Sequence, residues 1–128
     1  MPLSKSKKSL LLVDPHSLFR RTVASVAREL DLAEVHEASS FEAGQRLLQA
    51  QRFDALMLDI SDGIHAIALL QSLRAGALPS PAELPVAVTA ESCDLATLVM
   101  FKELEVQRIM LKPFKVKTVL EVVGSLTG

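Results

Sequence analysis

Tryptophan and tyrosine are absent from this 128-residue chain, and phenylalanine occurs only five times. Single-stranded nucleic acid is held by several aromatic faces on one surface, and five phenylalanines in an aliphatic-core domain are poor candidates for one. Cysteine is nearly absent as well. With Cys93 alone there is neither an internal disulfide nor a cysteine-based metal site. Cys93 reads as a small, half-buried apolar residue; a reactive thiol would need a cationic or helix-start setting, and a helix start lies close by. No charge sign dominates: 14 basic residues face 15 acidic ones, for a net charge of −1. Bulk charge therefore gives no attraction to nucleic acid. No apolar run approaches the roughly 18 residues of a membrane span. The basic start followed by Leu10–Val13 faintly resembles a signal peptide, but the run stops at Asp14, far short of an apolar signal core. The expectation is a soluble cytoplasmic protein with no nucleic-acid or membrane partner. Residues 1–8 would be a basic, mobile leader and residues 9–128 one domain.

Several catalytic signatures are missing too. There is no glycine-rich phosphate loop, no dinucleotide fingerprint, no nucleophile elbow and no zinc-protease helix. His16, His36 and His65 are scattered, and surface or packing roles are the default for each. His16, beside Pro15, falls near the strand-end cluster described below and is a secondary candidate to bond a phosphoryl oxygen there.

What is present is an aliphatic core. Hydrophobic residues make up 49 % of the chain, too many for disorder, and a domain of this size buries about two-thirds of its unfolded surface. Four short apolar runs, Leu10–Val13, Ala55–Leu58, Val86–Val88 and Ile109–Leu111, have strand length and no alternation, the mark of parallel strands covered on both faces. Glu34–Ala38 alternates and suits an edge strand. Helical stripes lie between them. Phe19, Val23, Val26, Ala27 and Leu30 mark the first, and Ser39 with Glu42 forms a capping box before Leu47 and Leu48. Ile64, Ile67, Ala68 and Leu70 mark the third, followed by the proline-containing loop 75–85. Leu95, Leu98 and Val99 mark the fourth; Val116, Val119, Leu120, Val123 and Leu126 mark the fifth. Core packing explains each stripe. The order, strand then helix five times, predicts an α/β fold: a doubly wound, five-stranded parallel sheet with right-handed crossovers.

In such sheets ligands bind beyond the carboxyl ends of the strands. Asp14, Asp59, Thr89 and Lys112 each follow a different strand. One carboxylate can act as a nucleophile and form an aspartyl phosphate, and a second helps to hold Mg²⁺. A hydroxyl and an ammonium bind phosphoryl oxygens and spread transition-state charge. Asp59 ends a central strand and is the expected nucleophile. Any one of these residues alone is an ordinary turn former, cap or edge lysine; four suitable types on four strands are not. No group is left over for a small α/β enzyme, so none is expected.

The segments Leu11–Arg21, Phe53–Ile60, Pro85–Glu91 and Leu111–Phe114 make the chain similar to the receiver domain of two-component response regulators, over about residues 9–124. The resemblance implies a flavodoxin-like sheet in the order 2-1-3-4-5 and a Lys112–Pro113 bond that is usually cis. It implies a phosphoryl group passed to Asp59 from the phosphohistidine of a sensor histidine kinase or phosphotransfer protein, with Thr89 and Lys112 touching it. It implies Mg²⁺ held by Asp14, Asp59 and the Ser61 carbonyl. It also implies a downstream protein, or a second copy, meeting the face of the fourth helix, fifth strand and fifth helix. Leu98, Met100, Phe101 and Leu104 cannot all face the core; they mark that surface or are plain packing of a broad helix face.

Three departures weaken the usual machinery. Pro15 stands where receivers carry a second acid, and one charge lost at ~4 Å forfeits several kcal/mol of gross attraction at an effective dielectric near 20. Weak or absent Mg²⁺ binding is expected. The loop Ile60-Ser61-Asp62-Gly63 is shortened, and Asp62 is either a replacement ligand or an ordinary turn residue. Ile109 occupies the position of the aromatic ring that usually switches, and Glu105-Val106 replaces the small pair usual before that strand. Two expectations stand side by side: a phospho-receiver acting through Asp59, and a phosphorylation-independent pseudo-receiver serving as an interaction module.

Overall fold

The computed structural model describes residues 7–61 and 63–128. Residues 1–6, most of the expected leader, and Asp62 lie outside the described residues. Lys7 forms an ion pair with Asp31.

Five strands alternate with five helices: β1 (Ser9–Val13), α1 (Ser17–Glu29), β2 (Glu34–Ala38), α2 (Phe41–Ala50), β3 (Ala55–Asp59), α3 (Gly63–Arg74), β4 (Val86–Ala90), α4 (Leu95–Glu103), β5 (Arg108–Leu111) and α5 (Val116–Thr127). The sheet is parallel throughout, in the order β2-β1-β3-β4-β5. The expected apolar runs are all strands, each extended by one or two polar or small residues at an end.

Strands β1, β3 and β4 are buried on both sides because successive side chains point to opposite faces. Leu11, Val13, Leu56, Leu58, Val86 and Val88 pack with Leu48 of α2, Leu70 of α3 and Phe101 of α4. Leu10, Leu12, Ala55, Met57 and Ala87 pack with Val23 and Ala27 of α1 and Val119 and Val123 of α5. Helices thus cover both faces, three on one and two on the other.

The helix stripes needed correction where a helix overhangs the sheet. Leu30 is an exposed C-cap, and Ala24 takes its place in the core. Leu95, Leu98 and Val99 face solvent, because α4 anchors mainly through fully buried Phe101 with half-buried Leu104 beside it. Ile64 and Val116, at the first turns of α3 and α5, are exposed, while Leu73 and Val122 are buried. Strand β5 is an edge rather than a doubly covered strand: Leu111 is 53 % exposed. The cap of α2 is Ser40, one residue after the expected Ser39. Its Oγ accepts from the Ala43 N–H at 3.1 Å, an ordinary N-cap bond.

Two polar clasps close the fold. Asp54 accepts from the N–H of Ser9 at 2.8 Å, tying the start of β1 to the start of β3. Arg74 donates to the carbonyls of Leu104, Ala82, Leu84 and Glu105, so α3, the 75–85 loop and the α4–β5 turn share one guanidinium.

Candidate functional site

Period-2 alternation explains why four distant residues meet. Leu10 and Leu12 face α1 and α5, so Asp14, two residues on, keeps that side. The same parity carries Ala55 and Met57 to Asp59, Ala87 to Thr89 and Met110 to Lys112. The ladder runs one step past β1 and β5, since the Asp14 N–H donates to Ala38 O at 3.1 Å and the Lys112 N–H to Ala90 O at 2.7 Å. Asp59 is the last residue of β3 and lies opposite Thr89, which is within β4 rather than after it.

All four side chains belong to buried residues. Lys112 Nζ lies 2.7 Å from Asp59 Oδ2, 2.9 Å from Asp14 Oδ2 and 3.1 Å from Asp14 Oδ1. One ammonium therefore serves two carboxylates, and the three groups carry a net charge of −1. Asp59 also accepts from the Ser61 N–H at 3.0 Å. Burial works against ionisation of Asp59, but the bonds from Lys112 and Ser61 and the Lys112 charge together outweigh it. They hold the carboxyl below its ordinary value of 3.8.

Two further residues line the site, of which only His16 was expected near it. His16, the N-cap of α1, donates its backbone N–H to Asp14 Oδ1 at 2.9 Å; its Nδ1 is 3.2 Å from the same oxygen and 3.0 Å from Lys112 Nζ. Phe19, read as a core residue of α1, lies beneath Lys112, with Nζ 4.9 Å from its ring centroid, and tilts against Phe114. The only sequence signal for either was proximity to Asp14, at two and five residues. Arg20 steadies the same turn by donating to the Asp14 carbonyl at 2.9 Å.

Ile109 has the opposite parity. It is half-buried against the α2, α3 and α4 core and lines an open groove of about 380 Å³ with Leu98, Lys102 and Val106. Lys112–Pro113 is cis, as the resemblance implied. Cys93 is half-buried just before the α4 N-cap, Asp94.

Mg²⁺ demands oxygen ligands but accepts only one or two carboxylates when waters and phosphate complete its shell. Asp14 and Asp59 meet that minimum. Pro15 contributes no side-chain donor; among the described His, Cys, Asp and Glu side chains His16 joins the two carboxylates, and the three offer ligand atoms within 4.8 Å of one another. Among the described residues no helix is long and apolar enough to cross a membrane.

The family model described as the response regulator receiver domain matches residues 10–124. No curated protein matches the chain. Among solved structures, the chain is similar to a CheY-like response regulator receiver domain protein from Methanospirillum hungatei JF-1, with a TM-score of 0.76 and 19 % identity over 94 % of this chain and 93 % of that one. A response regulator from Thermotoga maritima gives a TM-score of 0.78 at 21 % identity, over 94 % and 98 %. One from Burkholderia pseudomallei, solved with a phosphorylated aspartic acid, calcium ion and citrate, gives 0.68 at 21 %, over 91 % and 66 %.

Proposed function

Because the chain belongs to the response regulator receiver family of two-component signalling, we propose that Asp59 is its phosphoacceptor. Receiver domains interact with histidine kinases or phosphotransfer proteins, and a phosphohistidine of such a partner is the donor here. The N–P bond of the donor breaks as an Asp59 oxygen forms the new O–P bond, and the imidazole leaves and regains a proton. The observation that carries this reading is the Lys112 ammonium 2.7 Å from Asp59 Oδ2, placed to follow the charge as it passes to the phosphoryl oxygens. Its bonds keep Asp59 ionised, as a nucleophile must be. Thr89, opposite Asp59 in the sheet, offers a hydroxyl to the same group. The chain then acts as a carrier of the phosphoryl group and not as an enzyme with a substrate of its own.

Asp14 and Asp59 would hold Mg²⁺, which when bound neutralises phosphoryl oxygens. With Pro15 in place of an acid, that hold is weak. Output passes through the α4–β5–α5 face, where Leu98, Val99 and Met100 of α4, Leu111 of β5 and Val116 of α5 are all exposed. Such a patch suits a protein partner or a second copy.

A second reading, a pseudo-receiver that binds partners without phosphate, is favoured by two observations. Lys112 already satisfies both carboxylates, and Ile109 supplies no ring to couple the site to α4. Incubation with a small acyl phosphate and Mg²⁺, read by intact mass, separates the two. A mass gain of one phosphoryl group, lost in Asp59→Asn, is expected. No gain at saturating donor and metal would leave the pseudo-receiver.

A further inference from the structure

We propose that the Lys112 ammonium is the resident cation of the strand-end site, and that Asp59 accepts its phosphoryl group without a divalent ion. The inference rests on the reading of Asp59 as the phosphoacceptor.

All four oxygens of Asp14 and Asp59 already have protein donors. Asp14 Oδ2 and Asp59 Oδ2 accept from Lys112 Nζ at 2.9 Å and 2.7 Å. Asp14 Oδ1 accepts from the His16 N–H at 2.9 Å and from Nζ at 3.1 Å, and Asp59 Oδ1 from the Ser61 N–H at 3.0 Å. Mg²⁺ demands near-octahedral oxygens, and an ion bonded to Asp59 Oδ2 would lie within about 5 Å of the ammonium. Like charges that close repel strongly in a buried site. The two carboxylates and the ammonium carry a net charge of −1, which a divalent ion would turn to +1. An acid at position 15 would cancel that excess, and Pro15 brings none.

Lys112 is built into its place. Its side chain is 2 % exposed. Phe19 lies beneath Nζ, 4.9 Å from it at the ring centroid, and Phe114 tilts against Phe19. With the imidazole proton on Nε2, His16 Nδ1 accepts the third ammonium hydrogen at 3.0 Å. Asp59, Asp14 and His16 thus take one hydrogen each. Phosphoryl transfer asks the protein mainly for positioning and electrostatic stabilisation. A cation fixed in advance in a dry site supplies both without reorganising. The ammonium beside Asp59 Oδ2 and the hydroxyl of Thr89, opposite Asp59 in the sheet, meet the incoming group.

The test offers phosphoramidate, a small N–P donor, to the full chain in EDTA and, in parallel, in saturating Mg²⁺, with intact mass as the readout. The donor's N–P bond breaks as an Asp59 oxygen forms the O–P bond, and the protonated nitrogen leaves as ammonia. One phosphoryl group per chain is expected, at the same rate in both conditions, and none in Asp59→Asn. Lys112→Met, shown folded by circular dichroism, should be labelled about 100-fold more slowly or worse in EDTA, as the loss of a preorganised donor predicts. Urea unfolding gives a second readout. Mg²⁺ should leave the wild-type midpoint where it is and raise that of Lys112→Met, whose carboxylates are freed for the ion. Wild-type labelling that needs Mg²⁺ would overturn the proposal and leave Asp59 as the acceptor. So would EDTA labelling that Lys112→Met leaves unchanged, or a wild-type midpoint that Mg²⁺ raises as far as that of Lys112→Met. No labelling of the wild type in either condition would remove the phosphoacceptor reading, and this inference with it.

Discussion

Lys112 Nζ lies 2.7 Å from Asp59 Oδ2, and both side chains are at most 3 % exposed. The ammonium also serves Asp14, so removing it leaves two buried carboxylates facing each other. Breaking a buried pair from one side costs about 3–5 kcal/mol, because the remaining charge is uncompensated. Lys112→Met is expected to lose about 3 kcal/mol at pH 7 in urea unfolding. The gap to wild type should narrow in acid, since protonation removes the buried charge that Lys112 had balanced. A gap that stays constant down to pH 4 would show that the pair contributes little.

The wild-type chain should respond to acid in the opposite sense. Asp59 is held below 3.8 despite its burial, chiefly by Lys112 and Ser61. Asp54 is lowered first by the Ser9 N–H, against a smaller effect of burial. Both groups release protons more readily when folded than when unfolded. Their stabilisation is therefore complete above the unfolded value and is lost as pH falls through the lower folded values. Unfolding midpoints are expected to stay level for these groups from neutral pH down to about pH 5 and to decline below about pH 4. Asp59→Asn should make that decline shallower.

That Asp14, Asp59, Thr89 and Lys112 meet at one end of the sheet was legible because each follows or ends a short apolar run, and strand length is a local property of the chain. Four residue types at four strand ends needed no knowledge of helix packing. His16 was legible only as a neighbour of the site, two residues after Asp14; that its Nδ1 reaches Lys112 depends on how α1 leaves β1 after Pro15, which a lone histidine at a helix start does not reveal. The α4 stripe misled for a related reason. Leu95, Leu98 and Val99 have helical spacing, but α4 sits at the edge of the sheet and buries only Phe101 fully. Periodicity identifies an apolar face without saying which body covers it. The exposure of Leu111 follows from β5 being an edge, which is a property of strand order and not of its own residues.

Gly44 marks the closest approach of α2 to the sheet. A Cβ built there would lie 2.5 Å from Val13 Cγ2 and 2.9 Å from Cγ1. Alanine would ordinarily favour a helix interior by about 1 kcal/mol over glycine. Here Val13 is β-branched, nearly fully buried and unable to rotate freely. Overpacking of this kind costs about 1–3 kcal/mol, so Gly44→Ala should be destabilising by about 1 kcal/mol net. Val13→Ala in the same chain should remove the clash, and a double-mutant cycle should show favourable coupling between the two substitutions. Additive losses would mean that α2 simply shifts outward.

The half-buried position of Ile109 allows a direct test of the groove beside it. The side chain packs against the α4 side of the core and opens on about 380 Å³ of space bounded by Leu98, Lys102 and Val106. A larger ring placed there has room to lie along the groove without entering the fully buried core around Phe101. Ile109→Tyr should therefore fold with a stability within about 1 kcal/mol of wild type, as a half-exposed substitution without a clash does. The chain has no other tyrosine and no tryptophan, so the ring would be the sole reporter of this kind. Its fluorescence should be quenched by acrylamide at a rate between those of free tyrosine and a core tyrosine. Charge reversal at Lys102, through Lys102→Glu, should increase quenching by cationic agents and decrease it by iodide if the ring lies in the groove. Quenching at the free-tyrosine rate, indifferent to Lys102, would place the ring in solvent and the groove out of its reach.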